Sequence, residues 1–183
     1  MSFLISPGDF DSVHLHFGAT VKNNDSDGNF SRIIYSTKHI SFNGVGIIVD
    51  LADVDHESHY KKTFMRFDPH APANSTTMTR LQTIETEILD KYVGRVIKES
   101  LLCVHSLAEQ LNVGCIKAYT NDGSVVSGSG SGSGSGYGYG YSDDHVDCSH
   151  GHGHASKLPV MLKICGVWET KRECGILYKF IKC

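Results

Sequence analysis

Cations alternate with an aromatic side chain in one short segment of this chain of 183 residues. In residues 61–67, strand periodicity places Lys62, Phe64 and Arg66 on one face, and Lys61 precedes them. Such a face suits a single-stranded nucleic acid, because the cations hold phosphates and an exposed ring stacks a base for about 1–3 kcal/mol. In the alternative interpretation, Phe64 belongs to the core and the cations form a solvated edge.

The C-terminal residues repeat this pattern. Residues 157–183 contain six Lys and Arg and two acidic residues, for a net charge of +4. Tyr178 and Phe180 alternate with Lys179, and Trp168 ends the preceding apolar run, although large aromatic side chains often fill a core instead. The candidate phosphate contacts are Lys61, Lys62, Arg66, Lys163, Lys171, Arg172 and Lys179. The candidate stacking residues are Phe64, Trp168, Tyr178 and Tyr35, and we expect at least one of these to be core.

A third group of residues has the chemistry of metal ligands. Residues 143–154 are rich in histidine and aspartate, and imidazole and thiolate groups at such density can bind divalent transition metals. The alternation of histidine with glycine lacks the spacing of a closed structural site. We therefore expect no required cofactor and only weak, adventitious metal binding, at Cys148, His150, His152 and His154.

An enzymatic alternative rests on acidic residues close to histidines. Asp50, Asp53 and Asp55 precede His56 and His59, a composition compatible with a metal-dependent nuclease, but their spacing matches no metal-binding loop. The chain contains no P-loop, GxGxxG, GxSxG or HExxH motif. We therefore expect a protein without catalytic activity.

The composition is typical of a soluble globular protein. Lys and Arg number 17 against 20 Asp and Glu, 40% of residues are apolar, and no apolar run is long enough to span a membrane. Bulk charge therefore gives no attraction for nucleic acid, so any such binding needs a local patch. The N-terminus lacks the basic region of a secretory signal, and no CxxC pair occurs among the six cysteines. We expect an intracellular protein with reduced cysteines.

Residues 122–156 differ in kind from the rest of the chain. They combine Ser-Gly and Tyr-Gly repeats with a polar, histidine-rich stretch, and they carry four acidic residues and no Lys or Arg. Such a segment buries too little apolar surface to offset its ordering entropy, so we predict a disordered insertion. Residues 1–121 and 157–183 would then form one domain. The acidic segment could shield the basic residues from DNA, or its tyrosines could promote self-association.

The hydrophobic pattern predicts strands followed by helices and then strands again. Residues 13–21, 30–42, 46–51 and 62–67 read as strands, and an Asn-Gly hairpin signal precedes the third. Helical spacing covers residues 79–92, where Thr79 and Gln82 resemble a capping box and Gly94 ends or bends the helix. A second helix is predicted from residue 97 to 111. Strands return at 113–119, 158–168 and 175–181.

This order predicts an α+β or mostly β fold, built on an OB-like antiparallel β-barrel with an inserted helical block. One concrete form has five barrel strands, with a helix between the third and the fourth.

The closing strands carry a family resemblance. Residues 162–169 (LKICGVWE), a short charged connector and residues 175–180 (GILYKF) resemble the corresponding strands of single-stranded DNA-binding proteins of DNA viruses. The resemblance implies an OB-type barrel that binds single-stranded DNA during replication or recombination, and a location in the host nucleus or cytoplasm. In that family the acidic low-complexity segment usually ends the chain, whereas here it is internal. The alternatives are a structural, self-assembling viral protein, forming a homo-oligomer, and the metal-dependent enzyme considered above.

Overall fold

The computed structural model describes residues 4–23, 28–59, 62–96, 101–120 and 153–183. These residues form a mostly β fold with two α-helices. The strands are β1 (Leu4–Ile5), β2 (Leu15–Asn23), β3 (Gly28–Ser36), β4 (Ser41–Asn43), β5 (Val45–His59), β6 (Lys62–Arg66), β7 (Leu102–Val104), β8 (Cys115–Thr120), β9 (Gly153–Glu169) and β10 (Glu173–Lys182). The helices are α1 (Pro72–Arg95) and α2 (Ser106–Val113).

Five of these strands close into a β-barrel. The neighbours run β5–β6–β8–β10–β9, and β9 pairs again with β5 to complete the ring. Closure rests on a long antiparallel register in which Val45 lies opposite Ile164 and Val54 opposite Ala155. Inward-facing residues such as Ile47, Leu162 and Ile164 are completely buried, so the barrel is filled by side chains.

The barrel strands follow a Greek-key path. β5, β6 and β8 are successive neighbours, and β9 returns to lie beside β5, the spatial order that defines this motif. All pairings in the ring are antiparallel except the one between β8 and β10, which is parallel. The prediction of a barrel with an inserted helical block is therefore confirmed at this level. The helices lie between β6 and β8, the second and third barrel strands, so the placement between the third and fourth is wrong.

The sheet continues beyond the barrel through β3 and β2, which extend from the C-terminal half of β9. A bulge changes the phase of β9 at this point, because Leu177 lies opposite Gly166 whereas Tyr178 lies opposite Ile164. The extra residue allows Ile164 and Val167, an odd distance apart, both to face the core. The outer face of the extension consequently receives Gly166 and Trp168.

Helix α1 packs on the inner side of the sheet. Its apolar side chains join those of the barrel and the extension in one core cluster, including Met78, Leu81, Ile84, Ile88 and Leu89. The helix starts at Pro72, seven residues before the predicted capping box, so that capping prediction is wrong. Thr79 instead donates to the Ser75 carbonyl oxygen within the helix, at 2.9 Å. Ser and Thr are frequent in the first turns of α1, so the spacing of apolar residues that predicts a helix begins only later in the sequence.

Helix α2 is capped by a carboxylate that belongs to α1. The backbone N–H groups of Leu107 and Ala108 donate to the two oxygens of Glu85, at 3.0 and 2.8 Å. Glu85 is completely buried, and this burial raises the pKa of its carboxyl above the usual value. One long-range acceptor therefore satisfies two of the unpaired N–H groups at the start of α2.

Gly94 lies inside α1 and does not end it, since the helix continues to Arg95. Among the residues that the structure describes, no atom outside the neighbouring helix backbone lies within 4 Å of the position that a Cβ at this glycine would take. We expect Gly94→Ala to raise the free energy of unfolding by about 0.5–1 kcal/mol, because alanine has the higher helix propensity. Chemical denaturation would measure this. Gly114→Ala is the matched control and should destabilise, because φ there is +69° and a Cβ would lie 2.3 Å from the Phe67 carbonyl oxygen. Equal effects at the two sites would contradict this explanation.

Candidate nucleic-acid interface

One face of the barrel points away from the core and the helices. On β6, Thr63 and Met65 are buried, whereas Lys62 and Arg66 are exposed and Phe64 is half-buried. Strand alternation therefore puts Lys62, Phe64 and Arg66 on the outside of the barrel. The strand pairing adds outward residues from β8, β10 and β9. We call this surface the outer barrel face, and it comprises Lys62, Phe64, Arg66, Lys117, Tyr119, Lys163 and Lys179.

A row of lysines crosses this face from strand to strand. Phe64 lies opposite Lys117 in the pairing of β6 with β8. Phe180 pairs with Ala118 in the parallel register of β10 and β8, which places Lys179 beside Lys117. Lys179 in turn lies directly opposite Lys163 on β9. Neighbouring strands are separated by about 5 Å, so the row presents three closely spaced cations.

Two aromatic rings border the row at Lys117. The Lys117 ammonium lies 5.7 Å from the centroid of the Phe64 ring and 6.0 Å from that of Tyr119. These distances are within the range of cation–π attraction. Tyr119 is 40% exposed and Phe64 is half-buried, so both retain accessible surface. The combination of cations and accessible rings is the one that single-stranded nucleic acid requires.

The charge of the outer barrel face changes towards β5. Asp55 lies opposite Arg66, and Glu57 lies opposite Phe64. Arg66 therefore has a carboxylate in register with it, which makes it a weaker candidate phosphate contact than Lys163 or Lys179. The cationic part of the face is centred on β8, β10 and β9.

Two predicted stacking residues lie on the wrong side of the sheet. Tyr35 is only 3% exposed, and its hydroxyl accepts a hydrogen bond from the Asp11 N–H at 3.2 Å. The ring of Tyr35 is core and cannot stack a base. Tyr178 faces α2, where its hydroxyl lies 3.2 Å from the Ser106 carbonyl oxygen and 2.9 Å from Gln110 Oε1. Tyr178 therefore holds a helix against the sheet, on the side opposite to Lys179.

Trp168 is half-buried on the outer face of the sheet extension, apart from the lysine row. It lies opposite Phe30 on β3. A Cβ at Gly175 would lie 2.6 Å from the indole, and one at Gly166 would lie 2.4 Å from the Phe30 ring. Each ring thus covers a glycine of the neighbouring strand, a packing arrangement that stabilises glycine-containing sheets.

The remaining predicted residues are dispersed. Lys171 and Arg172 are exposed in the turn between β9 and β10, beyond the end of the barrel. Lys61, Cys148, His150 and His152 lie outside the described residues, as does the side chain of His154. The predicted insertion at 122–156 is also almost wholly outside them. Within the described ranges, no group of three or more His, Cys, Asp or Glu is arranged to hold a metal ion.

Lys117 and Tyr119 were missed by sequence reasoning. They alternate with Ile116 and Ala118 in the segment predicted as a return strand, so the pattern that reveals them was present. Strand alternation puts both side chains on the side that faces away from the core.

Comparison of the chain with protein-family models, curated proteins and solved structures gives no match. Among the described residues, α1 and α2 are not long and apolar enough to cross a membrane. The candidate interface consequently rests on its own geometry and charge.

Proposed function

We propose that the protein binds single-stranded nucleic acid non-specifically on the outer barrel face. The observation that carries this proposal is the lysine row, above all the direct opposition of Lys163 and Lys179. Like charges placed opposite each other in a sheet oppose folding. A polyanion bound across the row would remove this repulsion and would release the counterions that its phosphates hold.

The barrel architecture supports the same proposal. We infer an OB-type barrel, because that fold is a five-stranded Greek-key barrel which binds oligonucleotides on its second and third strands and on the loops that follow the first and the fourth. In this chain those strands are β6 and β8, which carry Phe64, Lys117 and Tyr119. The turn after the fourth barrel strand carries Lys171 and Arg172. The resemblance of residues 162–180 to viral single-stranded DNA-binding proteins favours DNA, in replication or recombination and without catalysis.

Fluorescence anisotropy of a labelled oligo-dT of about thirty bases tests the proposal, at two salt concentrations and against the matching duplex. We expect binding that prefers the single strand and weakens with salt by about 0.7 logarithmic units per neutralised phosphate for each decade of salt. An affinity independent of salt, or the absence of binding at low salt, would contradict it. A change of size with protein concentration and no response to nucleic acid would favour the self-assembling alternative.

The aromatic part of the face gives a separate prediction. We expect Phe64→Ala to weaken binding of oligo-dT by about fivefold, the lower end of the stacking range, because Lys117 already occupies space beside the ring. Phe64→Tyr keeps a ring at this position and should retain the affinity of the parent protein. The same anisotropy titration measures both variants. Equal losses in the two variants would show that the ring does not act by stacking.

A further inference from the structure

Two cysteines from distant parts of the chain lie side by side in the sheet. β7 pairs in parallel with the start of β10, and in this register Cys103 is the direct partner of Cys174. Their sulfur atoms are 4.0 Å apart, although 71 positions separate them in sequence. Residues 97–111 were predicted to be helical, so the sequence offered no reason to pair these cysteines.

The backbone holds both cysteines in positions suitable for a cross-link. The N–H of Leu102 donates to the Arg172 carbonyl oxygen at 2.8 Å, which fixes β7 against the end of the turn. Paired residues on neighbouring strands lie about 5 Å apart, within the range of Cα separations that disulfides span. Side-chain rotation can therefore bring the sulfurs from 4.0 Å to the bond length of about 2.0 Å.

The two thiols differ in their access to solvent. Cys174 is completely buried, and Cys103 is half-buried. Burial, reinforced by the neighbouring Cys103, raises the pKa of the Cys174 thiol to about 12. A dissolved oxidant consequently reaches Cys103 first, since reactivity requires both access and thiolate character.

We propose that Cys103 and Cys174 form an oxidative modification site, which hydroperoxides convert into a disulfide joining β7 to β10. The Cys103 sulfur attacks the peroxide, an S–O bond forms, the O–O bond breaks, and hydrogen peroxide loses one oxygen as water. The Cys174 sulfur then attacks the Cys103 sulfur. The S–S bond forms, the S–O bond breaks, and the departing hydroxide takes the Cys174 proton as a second water. Two electrons pass from the thiols to the peroxide.

The test treats the reduced full chain with hydrogen peroxide and identifies cross-linked peptides by mass spectrometry without reduction. We expect a peptide pair joining Cys103 to Cys174, a mass loss of about 2 Da, and reversal by a dithiol reductant. We also expect a higher melting temperature after oxidation, because the cross-link restricts the unfolded chain.

Single serine variants provide the controls. Cys103→Ser should abolish the cross-link, while Cys165→Ser, a half-buried thiol elsewhere in the sheet, should form it as the parent protein does. If a variant folds poorly, oxidation of the parent protein still tests the proposal, because the absence of a peptide pair joining Cys103 to Cys174 would contradict it. Cross-links between other cysteines, or Cys103 sulfinic acid beside an intact Cys174 thiol, would overturn it.

Discussion

Replacement of Lys117, Lys163 and Lys179 together by alanine is expected to weaken binding of single-stranded DNA by about 100-fold at about 0.1 M salt. Each phosphate contact contributes about 0.7 to the slope of log affinity against log salt, so the loss of three lowers that slope by about 2. The reason is geometric, because strand pairing places these lysines in one row across β8, β10 and β9. Anisotropy titrations of oligo-dT at several salt concentrations measure both the affinity and the slope.

Two matched double variants distinguish the effect of the outer barrel face on affinity from the effect of net charge. Lys163→Ala with Lys179→Ala removes the two opposed lysines, and Lys22→Ala with Lys38→Ala removes two exposed lysines elsewhere. Only the first pair should reduce affinity, by about 25-fold at about 0.1 M salt. The same pair should leave the melting temperature unchanged or higher, because it relieves repulsion between like charges. Equal losses of affinity in the two double variants would contradict a specific role for the row.

Glu85→Ala is expected to lower the free energy of unfolding by about 3 kcal/mol, because it leaves two N–H groups at the start of α2 without their acceptor. The carboxylate is completely buried, so the truncation also leaves a cavity between the two helices. For a chain of this size, the melting temperature should fall by roughly 6–12 °C. Thermal denaturation followed by circular dichroism measures it.

The matched control for this variant is Glu109→Ala. Glu109 is an exposed acidic residue in the first turn of the same helix, and its removal should cost no more than about 0.5 kcal/mol. A similar loss of stability in both variants would mean that Glu85 acts through general charge and not as the cap of α2.

The stabilisation by Glu85 should also depend on pH. Burial raises the pKa of its carboxyl above the usual value of 4.5, so the folded state holds this proton more tightly than the unfolded state. The neutral acid escapes the cost of burying a charge and can still accept from an N–H group. The difference in stability between the parent protein and Glu85→Ala should therefore be largest below the unfolded pKa and decrease as pH rises through the folded pKa. Denaturation of both proteins at pH values below and above these pKa values would show whether the difference in stability decreases as pH rises.

Local patterns in the sequence predicted much of the outer barrel face. Alternation along residues 62–66 placed Lys62, Phe64 and Arg66 on one side, and the structure has them there. The same alternation could not say which side of β10 faces the helices. The bulge opposite Leu177 and Tyr178 changes the phase of β9 relative to β10, and apolar residues on both sides of these strands hide that change in the hydrophobic pattern.

Long-range pairing explains the other differences. Closure of the barrel depends on β5 meeting β9, about a hundred residues later in the chain, and no local signal specifies that contact. The short strand β7 was predicted as helix because its apolar residues fit either period. Its identity is set by β10, which supplies its backbone partners.

The most direct test of the central claim is photocross-linking of an iodouracil-substituted single-stranded oligonucleotide to the protein, followed by peptide mapping. If the outer barrel face binds the strand, the cross-links will fall on the peptides that contain Phe64 and Tyr119, whose rings flank Lys117. The yield should fall with added salt and in the triple lysine variant. Cross-links confined to other parts of the chain, with these two peptides unmodified, would contradict the account.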